Sequence, residues 1–438
     1  MKTLVLFNYD WDESGFARNA QRYPFETAGF DLFQFPSNVQ LAWFDMTRFV
    51  DRLAAQATRR GWQAVVSNHE QFGALAAALL AERMGWPGTP VTAVLACQHK
   101  LHARRVLAEV CPEANCGFVG LNTEYNEAVP TGLHYPAFVK PVKAAFSVLA
   151  RFVHNRDELQ AHTRFGAWEL WVIRHLVEPF ERVVRQRLPQ AGSAHNMLLE
   201  QPLRGHQYNL DGYVFDGQVH ALGVVDAIHY PNTQAFMRFE FPSRLGADIQ
   251  ARALDVARRF LDAVGFTHGL FNMEFFYDAT HDTLSVIEFN PRLASQFSDL
   301  YLRVLGLDLH VVALALAHGQ DPATLVRTIP DAGTAASLVF RSFEPDTLVH
   351  QPSRTQQDAL VRQFPEALLF CFAKTPNQVA RDFKWMGSYR YGILHLAAPD
   401  AAHLRADCER ASAVLGWPAP YADAQPDYLT ARMAQLAV

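Results

Sequence analysis

The stretch LSVIEFNPRLASQ, Leu284 to Gln296, runs out of apolar residues and then sets Glu288, Asn290 and Arg292 at alternate positions. Side chains two apart on a strand share a face, so the pattern predicts a carboxylate, an amide oxygen and a guanidinium converging at the end of a buried strand. Magnesium is a hard cation held by one or two carboxylates together with phosphate oxygens, and an arginine beside it suits a phosphate. The bland alternative is an exposed strand end with an ordinary Glu–Arg pair. Just upstream lies FNMEFFYD, Phe271 to Asp278, joined to LSVIEFNP by turn residues around Ala279 to Asp282. Antiparallel pairing of the two runs brings Glu274 close to Glu288. Neighbouring carboxylates repel unless something positive sits between them, and a magnesium ion bridging nucleotide phosphates removes that penalty. Two exposed glutamates on a hairpin edge are the alternative.

Composition narrows the setting. The chain has 438 residues, 19% of them charged and half of them hydrophobic, enough to bury sizeable cores in two to four domains or lobes. A net charge of -5 without any Lys/Arg block argues against a nucleic-acid partner. The opening MKTLVLFNYD has too short an apolar run for a signal-peptide core or a membrane span, so no membrane and a cytoplasmic location are expected. Five cysteines, few and odd in number, argue against a disulfide framework, and Cys111 and Cys116 lack the second ligand pair a zinc site needs. No Gly-x-Ser-x-Gly elbow, His-Glu-x-x-His helix or Gly-x-x-x-x-Gly-Lys loop occurs.

Short apolar runs at Leu4–Asn8, Asp31–Phe35 and Ala64–Ser67 alternate with helix-like stretches such as Phe72–Met84, the pattern of a parallel sheet. GWPGTP ends this lobe near residue 90. AVLACQHKLHARRVLAEV reads as a helix, Ala137–Val142 and Phe146–His154 as strands, and Asp157–Arg187 as a long packed helical region. A run of strands follows, with FDGQV as a tight hairpin. ALLFCFAK, YGILHLAA and AAHLRADCERASAVLG form a final α+β segment. The expected fold class is therefore α/β with α+β lobes: a Rossmann-like parallel sheet over 1–97, a central region over 98–320 and an accessory α+β lobe over 321–438.

Several motifs, in order, now resemble the ATP-grasp superfamily, of the carboxylate–amine or amino-acid ligase type and similar to the ATP-binding domains of carbamoyl-phosphate-synthase-like proteins and D-alanine ligases. The resemblance covers roughly residues 60 to 320. GTPVTAVLACQHKLHARRVL looks like the opening helix whose lysine, here Lys100, reaches nucleotide phosphates. AFVKPVKAAFSVLA resembles the strand and loop in which Lys140 contacts phosphate. LLEQPLRGHQYNLDGYV is similar to the interlobe hinge, which implies Glu200 accepting from the adenine amino group, Gln201 and Leu203 offering backbone groups to adenine, and Gln207 at the ribose. FNMEFFYD and VIEFNPR match the metal-binding strands, which implies Glu274, Glu288 and Asn290 as magnesium ligands, with manganese as an alternative metal, and Arg292 against a phosphate or acyl phosphate. The resemblance further implies an ATP-grasp fold of two α+β subdomains, the smaller and mobile one at about 130–203.

The chain departs from the family pattern at three places. PVKAAFSVLA has no glycine, whereas bare backbone amides commonly approach the phosphates in this loop; Lys143 and the Ser147 hydroxyl are the substitutes at hand. Gln207 replaces a frequent glutamate, and Ala294 and Ser295 stand where paired glycines often follow. The implied reaction is attack of a carboxylate on the γ-phosphorus of ATP to give an acyl phosphate, then displacement of phosphate by an amine, with ADP released. Arg292 and Lys140 are the expected catalytic groups, a small carboxylic acid or amino acid and an amine acceptor the expected partners, and a homo-oligomer is compatible with them. KWMGSYRYG, Lys384 to Gly392, is expected to close over the acceptor, and Asp211 and Asp226 are placed to orient an amino group or simply to hold the sheet. A carboxylase-type or purine-pathway enzyme of the superfamily, and a nucleotide-binding protein without turnover, are the alternatives.

Overall fold

The computed structural model describes residues 2–32, 37–144, 149–345 and 347–421. Its strands form three sheets. The first is parallel, with β1 (Lys2–Leu6) between β2 (Phe25–Ala28) and β3 (Trp62–Val66). The second strand thus forms before the apolar run Asp31–Phe35: Thr3 to Leu6 pair in register with Phe25 to Ala28, and Gly29, at φ +131°, then turns the chain out of the sheet. Of that expected strand, residues 33–35 lie outside the described residues, and Leu32 is a buried core residue. The helix Met46–Arg60 packs Phe49, Val50, Leu53 and Ala57 against the sheet core, capped by the Asp45 side chain at one end and by Gly61 in the left-handed region at the other.

The expected single helix over residues 93–110 is two, Val91–Gln98 and Lys100–Val110. His99 breaks it with ψ near 89° and uses its ring Nδ1 to cap the backbone N–H of His102. A histidine that accepts locally competes with helix continuation, and the break places Lys100 at the start of the second helix. The helical region over 157–187 is likewise split, into Arg156–His162 and Ala167–Arg187, with Gly166 at the second N-cap.

The second sheet is antiparallel, in order β4 (Phe118–Leu121), β7 (Met197–Glu200), β5 (Ala137–Pro141), β6 (Arg151–Val153). Residues 145–148, including the expected phosphate-loop Ser147 and the start of the strand expected at Phe146, lie outside the described residues.

The third sheet is antiparallel and has eight strands in the order β12, β11, β8, β9, β10, β13, β15, β14. They are β8 (His206–Phe215), β9 (Gln218–His229), β10 (Phe236–Phe241), β11 (Gly269–Asp278), β12 (Thr283–Asn290), β13 (Thr334–Ser342), β14 (Leu368–Cys371) and β15 (Tyr389–Ala398). Asp216 and Gly217 both have positive φ, 47° and 77°, as the two-residue hairpin between β8 and β9 requires. The final α+β segment adds β13, β15 and β14 to the free edge beyond β10, so it continues the central sheet. Among the described residues no single helix is long and apolar enough to cross a membrane.

Candidate active site

The polar floor of the site is a row across three strands. Register pairs Asn209 of β8 with Glu274 of β11, and Glu274 with Glu288 of β12. Directly paired residues share a face, so the two carboxylates stand side by side. A bulge between Glu274 and Phe275 brings Glu288 into that register, since Phe275 pairs with Val286. Asn290 donates through Nδ2 to Glu274 Oε1 at 3.1 Å and to Asn272 Oδ1 at 3.2 Å, which leaves its own oxygen free to accept. Gln207 donates to the other Glu274 oxygen at 2.9 Å. The side chain expected at a ribose thus also contacts the carboxylate pair.

Charge explains what the floor lacks. Burial and the neighbouring Glu288 carboxylate push Glu274 up to about 7. Burial pushes Glu288 the same way, but Lys100 and Lys140 outweigh it and hold Glu288 below the ordinary carboxylate value; Lys100 Nζ lies 3.0 Å from Glu288 Oε2. The Asn209 amide Nδ2 is buried with no hydrogen-bond partner, an orphan donor that costs on the order of 1–3 kcal/mol unless a ligand oxygen meets it. A crowded carboxylate pair, an amide oxygen free to accept and an orphan donor together fit a divalent cation carrying phosphate oxygens. No cluster of three or more His, Cys, Asp or Glu side chains poised for a metal occurs among the described residues, so a cation here needs the substrate's oxygens to complete its shell.

Around the floor, five cations, Lys100, Arg104, Lys140, Lys143 and Arg292, each lie against a carboxylate. Lys140 Nζ is 2.8 Å from Glu200 Oε2, and Arg104 Nε is 2.6 Å from Glu200 Oε1. Arg104 also donates to the backbone oxygens of Val286 and Ile287, at 2.7 and 3.2 Å, tying its helix to β12. Both Glu200 oxygens are thus engaged by cations. The backbone N–H of Gln201 is taken as well, by Gly117 O at 2.7 Å. Gln201 and Leu203 lie in the irregular segment that links β7 of the second sheet to β8 of the third.

Arg292 reaches the site by another route than alternation. The strand ends at Asn290, and Arg292 N donates to Asn290 O in a turn at 2.9 Å. Its guanidinium Nε then meets Glu70 Oε2 at 2.6 Å. Glu70 also accepts from Gln98 Nε2 at 2.8 Å and lies 3.8 Å from Lys143 Nζ. Burial pushes Lys143 down to about 8 against the pull of Glu70. Lys100 holds the Ala144 carbonyl at 2.9 Å. The structure thus gathers Lys100, Lys140, Glu200, Gln207, Glu274, Glu288, Asn290 and Arg292 in one cleft. Sequence reasoning missed Glu70, Arg104, Asn209 and Gln98. Arg104 sits next to Lys100 on a helix already singled out, and helical spacing of four places both on one side; Glu70 carries no such signal.

Asp211 and Asp226 are separated. Asp211 accepts from Asn272 and from the Tyr301 hydroxyl, both at 2.9 Å, and burial pushes it up to about 7. Asp226 accepts from the Ser243 hydroxyl and, at 3.3 Å, from Arg244 N. Both brace the sheet.

With this geometry in place, a family model described as the ATP-grasp domain matches residues 133–299. Over that stretch the chain is similar to the ATP-grasp domain. The match spans β5, β6 and β7 of the second sheet, the segment that links it to β8, and the carboxylate floor. Carnosine synthase 1 of Gallus gallus is 28% identical over 278 residues, covering 60% of this chain and 28% of that protein. The uncharacterised protein y4rH of Sinorhizobium fredii is 26% identical over 310 residues, covering 69% of this chain and 59% of that protein. The chain therefore spans less than two thirds of the length of either relative. Among solved structures, an L-amino acid ligase from Bacillus licheniformis superposes with a TM-score of 0.68 at 15% identity, over 94% of this chain and 97% of that one. N5-carboxyaminoimidazole ribonucleotide synthetase from Thermus thermophilus superposes with a TM-score of 0.62 at 14% identity, over 96% and 100%. These likenesses show that the fold of those two proteins extends over nearly all of this chain.

Proposed function

We propose that this protein is an ATP-dependent, ADP-forming carboxylate–amine ligase that makes an amide or peptide bond through an acyl phosphate, with the domain limits and cytoplasmic location read from the sequence. The observation that carries the reading is the buried, directly opposed pair Glu274–Glu288, with Asn290 beside it and Lys100, Lys140 and Arg292 above. The relatives add weight, one being a carnosine synthase by name and one neighbour an L-amino acid ligase.

Phosphoryl transfer is mostly positioning together with cations set around the charge on the moving group. In this reading Glu274, Glu288 and Asn290 hold magnesium, or manganese in its place, and the bound cation screens the charge of the attacking carboxylate and the phosphates. Lys100 and Lys140 contact the phosphates, while the hinge segment from Glu200 through Leu203 takes the adenine by its backbone. An oxygen of the acid attacks the γ-phosphorus, the bond to the β-bridging oxygen breaks, and ADP leaves. The amine then attacks the acyl carbon, loses a proton, and phosphate departs with the acyl oxygen. Arg292 binds the transferring phosphoryl oxygens, and Glu70 aims it.

The test is ADP release from ATP and magnesium against a panel of amino acids and small acids, alone and in pairs, with mass spectrometry of the products. A signal that needs two substrates and yields their condensation mass supports the ligase. ADP release with bicarbonate or formate and no condensation product sinks it in favour of another ATP-grasp chemistry, and ATP binding with no release across the panel sinks it in favour of a nucleotide-binding protein.

A further inference from the structure

At the far end of the central sheet, register places Arg341 of β13 directly opposite Arg390 of β15, next to a bulge between Phe340 and Arg341. Like charges directly opposed across strands are destabilising. Elsewhere around the cleft every cation rests on a carboxylate, yet neither of these arginines has a carboxylate within ion-pair distance among the described residues. Arg341 donates through NH1 to the buried Ser388 hydroxyl at 3.0 Å, and its Nε is buried with no partner. Asp382, the acid whose field both feel, is engaged by Lys374 at 3.0 Å and Arg381 at 3.5 Å. Burial and Arg341 together push Arg390 down to about 10, the direction expected of a cation waiting for a counter-charge.

Aromatic rings frame the Arg390 guanidinium and fix where it faces. Its Cζ stands 4.4 Å from the centroid of Phe372 and 5.9 Å from that of Trp11. Trp11 stacks on Tyr9 at 5.0 Å, Tyr9 stacks on His69 at 5.0 Å, and the Trp11 indole N–H donates to Ser295 Oγ at 3.0 Å. Tyr9, Trp11 and His69 follow the carboxyl ends of the adjacent strands β1 and β3 of the N-terminal parallel sheet, where such sheets take their ligands. Tyr9 feels the charges of Arg292 and Glu70 on one side and acts on Arg390 on the other. A shelf of aromatic rings thus runs from the phosphoryl-transfer arginine to a half-buried arginine pair.

We infer that Arg390, backed by Arg341, binds the carboxylate of the amine-bearing substrate, so that the acceptor is an amino acid whose own carboxylate is left unactivated. The inference rests on the ligase reading and names the acceptor class within it. An anion at Arg390 relieves the Arg341–Arg390 repulsion and gains a planar fork suited to a carboxylate. Because the Trp11–Tyr9 stack separates it from Arg292, the carboxylate held there is a spectator, not the one presented to the phosphorus. One half-buried guanidinium matches a monoanion better than a phosphomonoester dianion, and the ring shelf accommodates the rest of the amino acid.

The test compares kcat/KM for standard L-amino acids as amines with that for their C-terminal amides, in wild type and in Arg390→Ala, with Arg390→Gln for the case that the alanine variant does not fold. ADP–magnesium affinity by calorimetry checks that each variant retains its nucleotide site. Wild type is expected to favour the free amino acid by about 30- to 100-fold, the loss typical of leaving one member of a charged pair unmet, and the ratio is expected to collapse towards unity in the variant. If wild type makes no amide at all, the ligase reading fails and the inference goes with it. If wild type uses amides as well as amino acids, or prefers a phosphorylated amine, or if Arg390→Ala keeps the wild-type ratio, the inference is overturned and the ligase stands. A loss that appears in the KM of the activated acid instead moves the site to a second carboxylate of that acid and overturns it equally.

Discussion

Glu288 shows how much one residue type at one spacing can disclose. Its alternation with Asn290 and its nearness to Glu274 were legible because strand geometry fixes which side chains share a face, and β12 keeps that geometry to Asn290. The same rule failed two residues later, where Pro291 and a turn take over and only a long side chain carries Arg292 to Glu70. Glu70 itself was illegible, since the contact spans 222 positions and depends on how two sheets meet. Two predictions belong here. Glu288→Gln should lower magnesium-dependent turnover by at least about a thousandfold, on the scale of losing a charge-stabilising group in a dry site, with the far-UV spectrum unchanged; turnover within tenfold of wild type in a folded variant would remove Glu288 from the metal set. Glu70→Gln keeps the shape but drops the charge that aims Arg292 and Lys143. A fall of about ten- to a hundredfold in kcat with little change in the KM for ATP is expected from losing a charged hydrogen bond; a loss confined to KM would make Glu70 a nucleotide-site residue instead.

Elements carry a different lesson, because periodicity reveals a helix or strand but not the polar bond that interrupts it. The helix around Lys100 was legible from its apolar spacing, while the break came from a ring nitrogen of His99 reaching the N–H of His102. The strand β2 was expected at the apolar run Asp31–Phe35, whereas it pairs with β1 at Phe25–Ala28. Glu200 joins three elements: it sits on β7, and its carboxylate holds Arg104 of the helix Lys100–Val110 and Lys140 of β5. All three side chains are at most 4% exposed. Removing the shared acid strands two buried cations, a loss of about 3–5 kcal/mol. Glu200→Gln should therefore lower the urea midpoint markedly even without nucleotide, whereas a purely adenine-contacting residue would leave the ligand-free protein as stable as before. Equal ligand-free stability in the variant would return the carboxylate to the nucleotide.

At the scale of the whole molecule the N-terminal parallel sheet and the helices below the central sheet are joined by a buried polar contact that sequence patterns do not announce. His310, on the helix Leu309–Ala317, lies 2.9 Å from Asp12 on the helix Asp10–Arg18 and 3.5 Å from Asp308. A Cβ at Gly15 would sit 2.3 Å from His310 Nδ1, so this close approach needs a glycine. Burial alone would drive the imidazole neutral, but hydrogen bonds and charge from Asp12 and Asp308 prevail and raise His310 to about 9. A folded value above the unfolded one of about 6.5 means the proton is held more tightly in the native state, so the contribution is full below pH 6.5 and is lost as pH rises through 9. A shift of that size corresponds to about 3 kcal/mol at most, by 1.36 kcal/mol per unit. Chemical denaturation between pH 6 and pH 9.5 should show wild type losing stability across that interval, while His310→Gln starts less stable and runs flatter. Parallel slopes for the two proteins would show that the imidazole is neutral in the native state and that the contact between the two helices is held by packing.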